Sequence, residues 1–376
     1  MDVLRLAGPP GVGKSTVAFE IAHRLGARGD HTAYVDIDQL GMCYPPPEGD
    51  PDRWSLKERV LVRFTDGLRR SGVQRLVVSG VAYPDDPPPS GASALWLDAS
   101  AAVRHSRLGA RGWDGARVRE VTDIGTAESA RLDAAWPKLP TDGSSVDEVV
   151  DRVLARWPAA HSTREPATPA PSMAPLPGSP TREIEVLWIT GPRCTGASTV
   201  GWEIAQAAWS RDTRTGFADA AELSFRWNGA SDDGAIGLRA IRQEFAGIGA
   251  RQLVVVAPLW AEPFGTFGSV DHSRITFVRL DASESDLRSR VHAREAHAGH
   301  MLAGDDIAGH PERVETITEL ALSQRQMPMR EGELLVDATD APAVVAASIT
   351  EIWTSRSALS RRQARKDDAS SRTASA

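Results

Sequence analysis

The residues with the clearest chemical meaning stand near the start of the 376-residue chain, in Gly8-Pro9-Pro10-Gly11-Val12-Gly13-Lys14-Ser15, followed by Thr16. They fit the phosphate-loop pattern G-x-x-x-x-G-K-[ST]. Their context fits too, with a short apolar run (Val3–Ala7) before them and a segment carrying Val17, Ile21 and Leu25 on one helical face after them. Gly11 and Gly13 let the backbone curl so that successive N–H groups face a phosphate, and the helix start adds partial positive charge. Lys14 has the reach to meet the outer phosphates of a nucleoside triphosphate, and the Ser15 hydroxyl is a ligand for Mg²⁺. Gly8, Gly11, Val12, Gly13, Lys14, Ser15 and Thr16 are thus the candidate phosphate-binding residues, and Lys14 is also a catalytic candidate.

Two other groups could join them. In Tyr34-Val35-Asp36-Ile37-Asp38, strand alternation places Asp36 and Asp38 on one face. A carboxylate at the carboxyl end of a parallel strand, beside a phosphate loop, can serve as a general base. Arg107 and Arg111 stand at helical spacing, so both guanidinium groups can approach one ligand.

These residues need a scaffold, and the hydrophobic pattern supplies one. Short apolar runs (Val3–Ala7, Thr32–Val35, Leu76–Val78, Ala94–Leu97) alternate with segments of helical period, which implies parallel strands joined by helical crossovers and covered on both faces. The pattern occurs twice. Leu4 to Pro9 is echoed by Leu187 to Pro192, Ser15-Thr16-Val17 by Ser198-Thr199-Val200, and Gly72 to Val78 by Gly249 to Val255. Leu97-Asp98-Ala99-Ser100 returns unchanged as Leu280-Asp281-Ala282-Ser283, with Arg107 and Arg111 matched by Arg290 and Arg294. So many matches in one order indicate duplication.

Residues 158–182 are rich in Pro, Ala, Ser and Thr and read as a linker, and 355–376 read as a disordered tail. The expected fold class is α/β: two tandem three-layer αβα P-loop NTPase domains with mostly parallel sheets, at 1–157 and 183–354. The second copy keeps its loop serine, Ser198, and an aspartate, Asp219, in the place of Asp36. It has Ala197 where the first has Lys14 and Ala221 where the first has Asp38, so it reads as degenerate.

With the loop, the Asp-x-Asp and the Arg-x-x-x-Arg placed, the first half resembles the small P-loop kinases. This group includes nucleoside monophosphate kinases, gluconate and shikimate kinases, adenylylsulfate kinase, chloramphenicol phosphotransferase and the kinase domain of polynucleotide kinases. The resemblance implies ATP and Mg²⁺ as cofactors, a carboxylate (Asp38 or Asp36) beside the acceptor hydroxyl, and Arg107 and Arg111 near the nucleotide. It also implies a lid at Gly112–Arg119. The chain departs from the group after Gly80, where a Pro-rich loop lacks the arginine that adenylate kinases carry for an acceptor phosphate. The resulting expectation is an ATP- and Mg²⁺-dependent phosphotransferase acting on a small hydroxyl-bearing metabolite. The competing one is an ATP-binding switch with weak or no phosphotransfer.

Composition narrows the field. A net charge of −7 argues against a nucleic-acid partner, and no apolar stretch reaches the ~18 residues of a membrane span. Two distant cysteines, Cys43 and Cys194, make neither a disulfide framework nor a zinc site, and the start of the chain reads as cytoplasmic. The scattered tryptophans are expected to pack between helix and sheet. His292, His297, His300 and His310 are expected in solvent-facing loop.

Overall fold

Side chains alternate along a strand, so each sheet here has two apolar faces to cover. The computed structural model describes residues 1–157, 184–223, 225–227, 233–261, 274–296 and 307–357. Its first sheet runs β6 (Lys138–Pro140), β5 (Ser93–Asp98), β1 (Asp2–Ala7), β4 (Arg75–Ser79), β2 (Thr32–Asp36), all parallel. Leu4, Leu6, Val77 and Leu97 meet Val17, Ile21 and Leu25 of α1 (Lys14–Ala27) and Val149 and Val153 of α5 (Val146–Arg156).

The second sheet has the same order: β12 (Leu334–Asp337), β11 (Ile275–Asp281), β7 (Glu185–Thr190), β10 (Gln252–Val256), β8 (Thr215–Asp219), again parallel. Its outer face packs Leu187, Ile189 and Val254 on Val200 and Ile204 of α6 (Ala197–Trp209) and on a last helix over 342–357. The α/β class with mostly parallel sheets is therefore as the sequence implies.

The inner faces of the two sheets share one core. Between them lie α2 (Trp54–Arg70) and α7 (Asp233–Gly247). Val60, Phe64 and Leu68 join Ile241 and Phe245 against Val35 and Val78 on one side and Trp188 and Val255 on the other. The layers thus run helix, sheet, helix, sheet, helix, with the middle helical layer common to both halves. Across that layer the buried Glu244 accepts from Arg59 Nε at 2.8 Å and from Arg63 Nε. Removing one side of such a cluster strands charge in the interior, at a cost of about 3–5 kcal/mol.

The halves also exchange edge strands. β9 (Phe225–Trp227) pairs antiparallel with β2, Tyr34 facing Phe225, and β3 (Cys43–Tyr44) pairs antiparallel with β8, Cys43 facing Gly216. Each exchanged strand is anchored by aromatic contacts. Phe19 meets Phe225 and Trp227 edge-on at 5.3 Å, and Tyr44 lies 4.7 Å from Trp209. Arg214 clasps the chain beyond β3 by donating to the carbonyls of Pro45 (2.9 Å) and Pro46 (3.1 Å). Neither sheet leaves the edge at β2 or β8 open to another chain.

The expected linker (158–182) and His297 and His300 lie outside the described residues. So does the tail from 358 onward, while 355–357 continue the last helix. His310 Nδ1 sits 3.0 Å from Glu312 on the surface. Among the described residues no helix is long and apolar enough to cross a membrane.

Cys43 reports on the exchange, because burial pushes its thiol up to about 12. While β3 stays docked the reactive thiolate is scarce at neutral pH, whereas Cys194 is only half-buried. Under native conditions Cys43 is expected to alkylate slower than Cys194 by on the order of 100-fold or more, with protection lost on unfolding. Equal rates measured by mass spectrometry would show that β3 is not held against β8.

Candidate functional site

The phosphate loop closes between β1 and α1 as its sequence requires. Gly11 and Gly13 take φ of +85° and +93°, a region that side chains disfavour, and nothing lies within 4 Å of where a Cβ on Gly13 would point. That side of the loop is open space of the kind a phosphate group would enter. Lys14 Nζ donates to the loop's own carbonyls, Gly8 at 2.7 Å and Pro9 at 3.1 Å. Burial holds this ammonium below the ordinary lysine range, while the nearby carboxylates of Asp36, Asp38 and Glu128 push it back up. Val12 is buried under the loop, and Thr16 is exposed in the first turn of α1.

Asp36 and Asp38 part company, because β2 ends at Asp36 and a short 3₁₀ turn (Ile37–Gly41) begins there. Asp36 turns toward the loop. Its Oδ2 accepts from Ser15 Oγ (3.0 Å) and Ser79 Oγ (2.9 Å), and its Oδ1 caps the turn through Asp38 N–H (3.0 Å). Burial raises this carboxyl above the usual carboxylate range, and the neighbouring Asp38 adds to the shift. The Ser15 hydroxyl and Asp36 together make a hard oxygen pair of the kind that holds Mg²⁺. The common face expected for the two aspartates is not found, since alternation stops where the strand stops.

Asp38 instead faces a cavity of about 530 Å³ beside the loop, and its Oδ1 accepts from Lys57 Nζ at 2.6 Å. Lys57 comes from the first turn of α2, is only 5% exposed, and lies against Gly41. Trp54, one turn earlier, and Tyr83 form an edge-on pair at 5.3 Å in the same wall, so Trp54 is not only packing. Arg53 and Arg131 also line the cavity. Arginines thus enter the wall from the turn before α2 and from the end of α4 (Gly115–Arg131).

Arg107 and Arg111 serve different places. Arg107 donates to the carbonyl of Val12 (3.1 Å) and to Thr141 Oγ1 (3.1 Å) and carbonyl (3.2 Å), which fastens the loop to the end of β6. Arg290 makes the matching bonds in the second half, to the carbonyls of Thr195 (2.8 Å) and Ala338 (2.5 Å). Retention of that arginine is explained by the architecture alone. Burial lowers Arg111, and its charge acts on Lys14. The stretch Gly112–Arg119, expected as a lid, is a turn running into α4, which Asp114 caps.

Packing of α4 on the loop depends on Gly125, where a Cβ would collide with Arg104 and Pro9. That close approach brings Glu128, one turn on, to the cavity rim opposite Asp38. Arg104 itself is buried behind the loop. Its Nη2 donates to Thr126 Oγ1 at 2.8 Å, whereas its Nε and Nη1 meet no acceptor among the described residues. Lys57, Glu128, Arg53 and Arg131 were not legible as site residues, because three sit in helices whose charges read as solvated surface and Arg53 sits in the turn before α2. The one usable signal was Lys57, one of only four lysines in an arginine-rich chain.

In the second half Ser198 Oγ donates to Asp219 Oδ2 at 2.6 Å, as Ser15 does to Asp36. Gly234 stands as far before Gly249 as Lys57 stands before Gly72, so the second half has no counterpart of the Lys57–Asp38 pair.

No family model matches the chain, and no curated protein matches it. Among solved structures, a gluconokinase from Sinorhizobium meliloti 1021 is similar at 20% identity and a TM-score of 0.32, with 48% of this chain and 96% of that one covered. A sugar kinase from Janibacter sp. HTCC2649 is 20% identical over 41% of this chain and 93% of its own, with a TM-score of 0.30. The tunicamycin resistance protein of Deinococcus radiodurans is 16% identical over 42% of this chain and 95% of its own, also at 0.30. Likenesses this distant carry no argument about a substrate.

If Arg107 is a structural clasp, its loss leaves the Val12 carbonyl with only a long bond from Thr141 Oγ1 at 3.4 Å. Arg107→Ala is expected to lower ligand-free stability by about 1–3 kcal/mol in denaturant unfolding. Unchanged stability in the absence of nucleotide would show instead that the arginine serves only a ligand.

Proposed function

We propose that the chain is an ATP- and Mg²⁺-dependent phosphotransferase acting on a small hydroxyl-bearing metabolite, with its site in the first half. The observation that carries this reading is a cavity of about 530 Å³ whose wall holds Asp38 and Glu128, two carboxylates near enough to the phosphate loop for their charges to act on Lys14. That volume suits a small metabolite. Bound at the loop with Mg²⁺, ATP would supply the phosphoryl group that moves.

The residues divide the work as follows. Backbone N–H groups of Gly11 to Ser15 would bind phosphate oxygens, and Lys14, now on the carbonyls of Gly8 and Pro9, would neutralise charge on the transferring group. Ser15 and Asp36 would hold the metal ion. Asp38, kept in one orientation by Lys57 at 2.6 Å, takes or orients the proton of the acceptor hydroxyl. Arg111 adds positive charge beside Lys14, and Arg107 keeps the loop in shape. The second half, with Ala197, Ala221 and Gly234 in the places of Lys14, Asp38 and Lys57, is read as a copy that no longer transfers phosphate. A pure switch has less support, because it gives no task to the cavity or to the Lys57–Asp38 pair.

The test is ADP formation by the full chain with Mg²⁺ and ATP across a panel of sugars, polyols, nucleosides and hydroxylated antibiotics. Acceptor-dependent turnover is expected, falling roughly 10²- to 10³-fold in Lys14→Ala and roughly 10²- to 10⁴-fold in Asp38→Asn. A Lys14→Ala protein that still turns over at the normal rate would sink the assignment.

A further inference from the structure

Resting on that reading of the cavity, we propose that Glu128 binds an ammonium group of the acceptor, so that the substrate class is a hydroxylated amine such as an amino sugar or aminocyclitol. The argument starts from which charges in the cavity wall are already committed. Lys57 is bound to Asp38 at 2.6 Å. Arg53 donates to the carbonyls of Gly41 (2.9 Å) and Pro51 (3.3 Å) and stacks over Tyr44 at 3.9 Å. Arg131 pairs with Asp85 at 3.4 Å. Lys57 and Arg131 therefore have carboxylate partners within the chain, and Arg53 is held in place by backbone carbonyls and Tyr44.

The carboxylates are not all committed. Asp38 has Lys57, and Asp52 accepts from Tyr83 OH at 3.3 Å. Glu128 makes no hydrogen bond or ion pair among the described residues, although it is half-buried in the cavity wall, where burial pushes its carboxyl up and the charges of Lys14, Arg131 and Arg104 pull it back. The chain supplies no counter-charge for it at contact distance.

Its position beside the phosphate loop makes that vacancy consequential. Lys14, Arg131 and Arg104 offset its charge only through the field, and once Lys14 turns to the nucleotide a carboxylate there repels the phosphates, more strongly for being partly buried. An ammonium group delivered by the acceptor cancels the repulsion. Acceptor and nucleotide then favour each other's binding, and by linkage the effect is reciprocal. A neutral acceptor leaves the penalty in place, and an acidic one adds to it.

The experiment measures the affinity of the full chain for the Mg²⁺ complex of a non-hydrolysable ATP analogue. Calorimetry is run alone and in the presence of matched amino, neutral and acidic derivatives of the same polyols (amino sugar, sugar, aldonic acid; aminocyclitol, cyclitol), with ADP formation from ATP followed in parallel. An amino member is expected to tighten analogue binding by roughly 5- to 150-fold, the usual range of coupling between sites. In Glu128→Gln the analogue should bind more tightly on its own and the amine should no longer help, whereas Glu128→Asp should retain the amine effect.

Coupling by neutral or acidic members instead, coupling that survives in Glu128→Gln, or none from any amino member would overturn the assignment. Amine coupling without any ADP formation would overturn the phosphotransferase reading and leave the ammonium site standing. ADP formation with neutral or acidic acceptors alone would do the reverse.

Discussion

The helical layer of α2 and α7, buried between two sheets, is the constraint on which the rest of the structure depends. Phe64 and Phe245 cannot be fully covered by either half alone, because each reaches a core whose other wall belongs to the other half. Burying one such aromatic side chain contributes ~1.5–3 kcal/mol, and the layer holds many apolar side chains besides. α2 is consequently fixed from both sides, and α2 is also the element that carries Trp54 and Lys57 to the candidate cavity. The strand exchange acts on the same wall from its other end. Met42 and Tyr44 line the cavity while β3 is tied to β8 and Arg214 holds the carbonyls of Pro45 and Pro46.

This arrangement gives the second half a physical task that needs no chemistry of its own. On the proposed reading, in which the second half does not transfer phosphate, it can lose the Lys14, Asp38 and Lys57 equivalents without harm to the fold, because in the first half those residues serve the loop and the cavity. What it keeps is what the architecture uses. The Arg290 clasp, the Ser198–Asp219 bond and the edge strand β9 all hold backbone in place. Similar economy explains Arg107, whose bonds to Val12 and Thr141 are made without any ligand.

The sequence made the fold class and the phosphate loop legible, because both rest on local patterns: apolar runs of strand length, helical periodicity, and glycines where the loop turns with positive φ. The matched order of the two halves was legible for the same reason. The exchange of strands was not, since Cys43–Tyr44 and Phe225–Trp227 are too short to show alternation and their pairing is decided by tertiary packing. Nor was the divergence of Asp36 and Asp38, which hinges on a strand ending one residue after Val35. Glu128 and Arg131 were hidden in a helix whose approach to the loop turns on the missing side chain of Gly125, and only the packed structure shows which helix face meets the loop.

In the proposed reaction the phosphoryl group leaves ATP for a small acceptor at the first phosphate loop. Following the fate of a labelled γ-phosphate tests it most directly, with the full chain, Mg²⁺ and the acceptor panel, and with products separated and weighed. Label is expected in an acceptor ester and is lost when Lys14 is replaced. Label found only in inorganic phosphate across the panel, at a rate indifferent to acceptor and to Lys14, would contradict it.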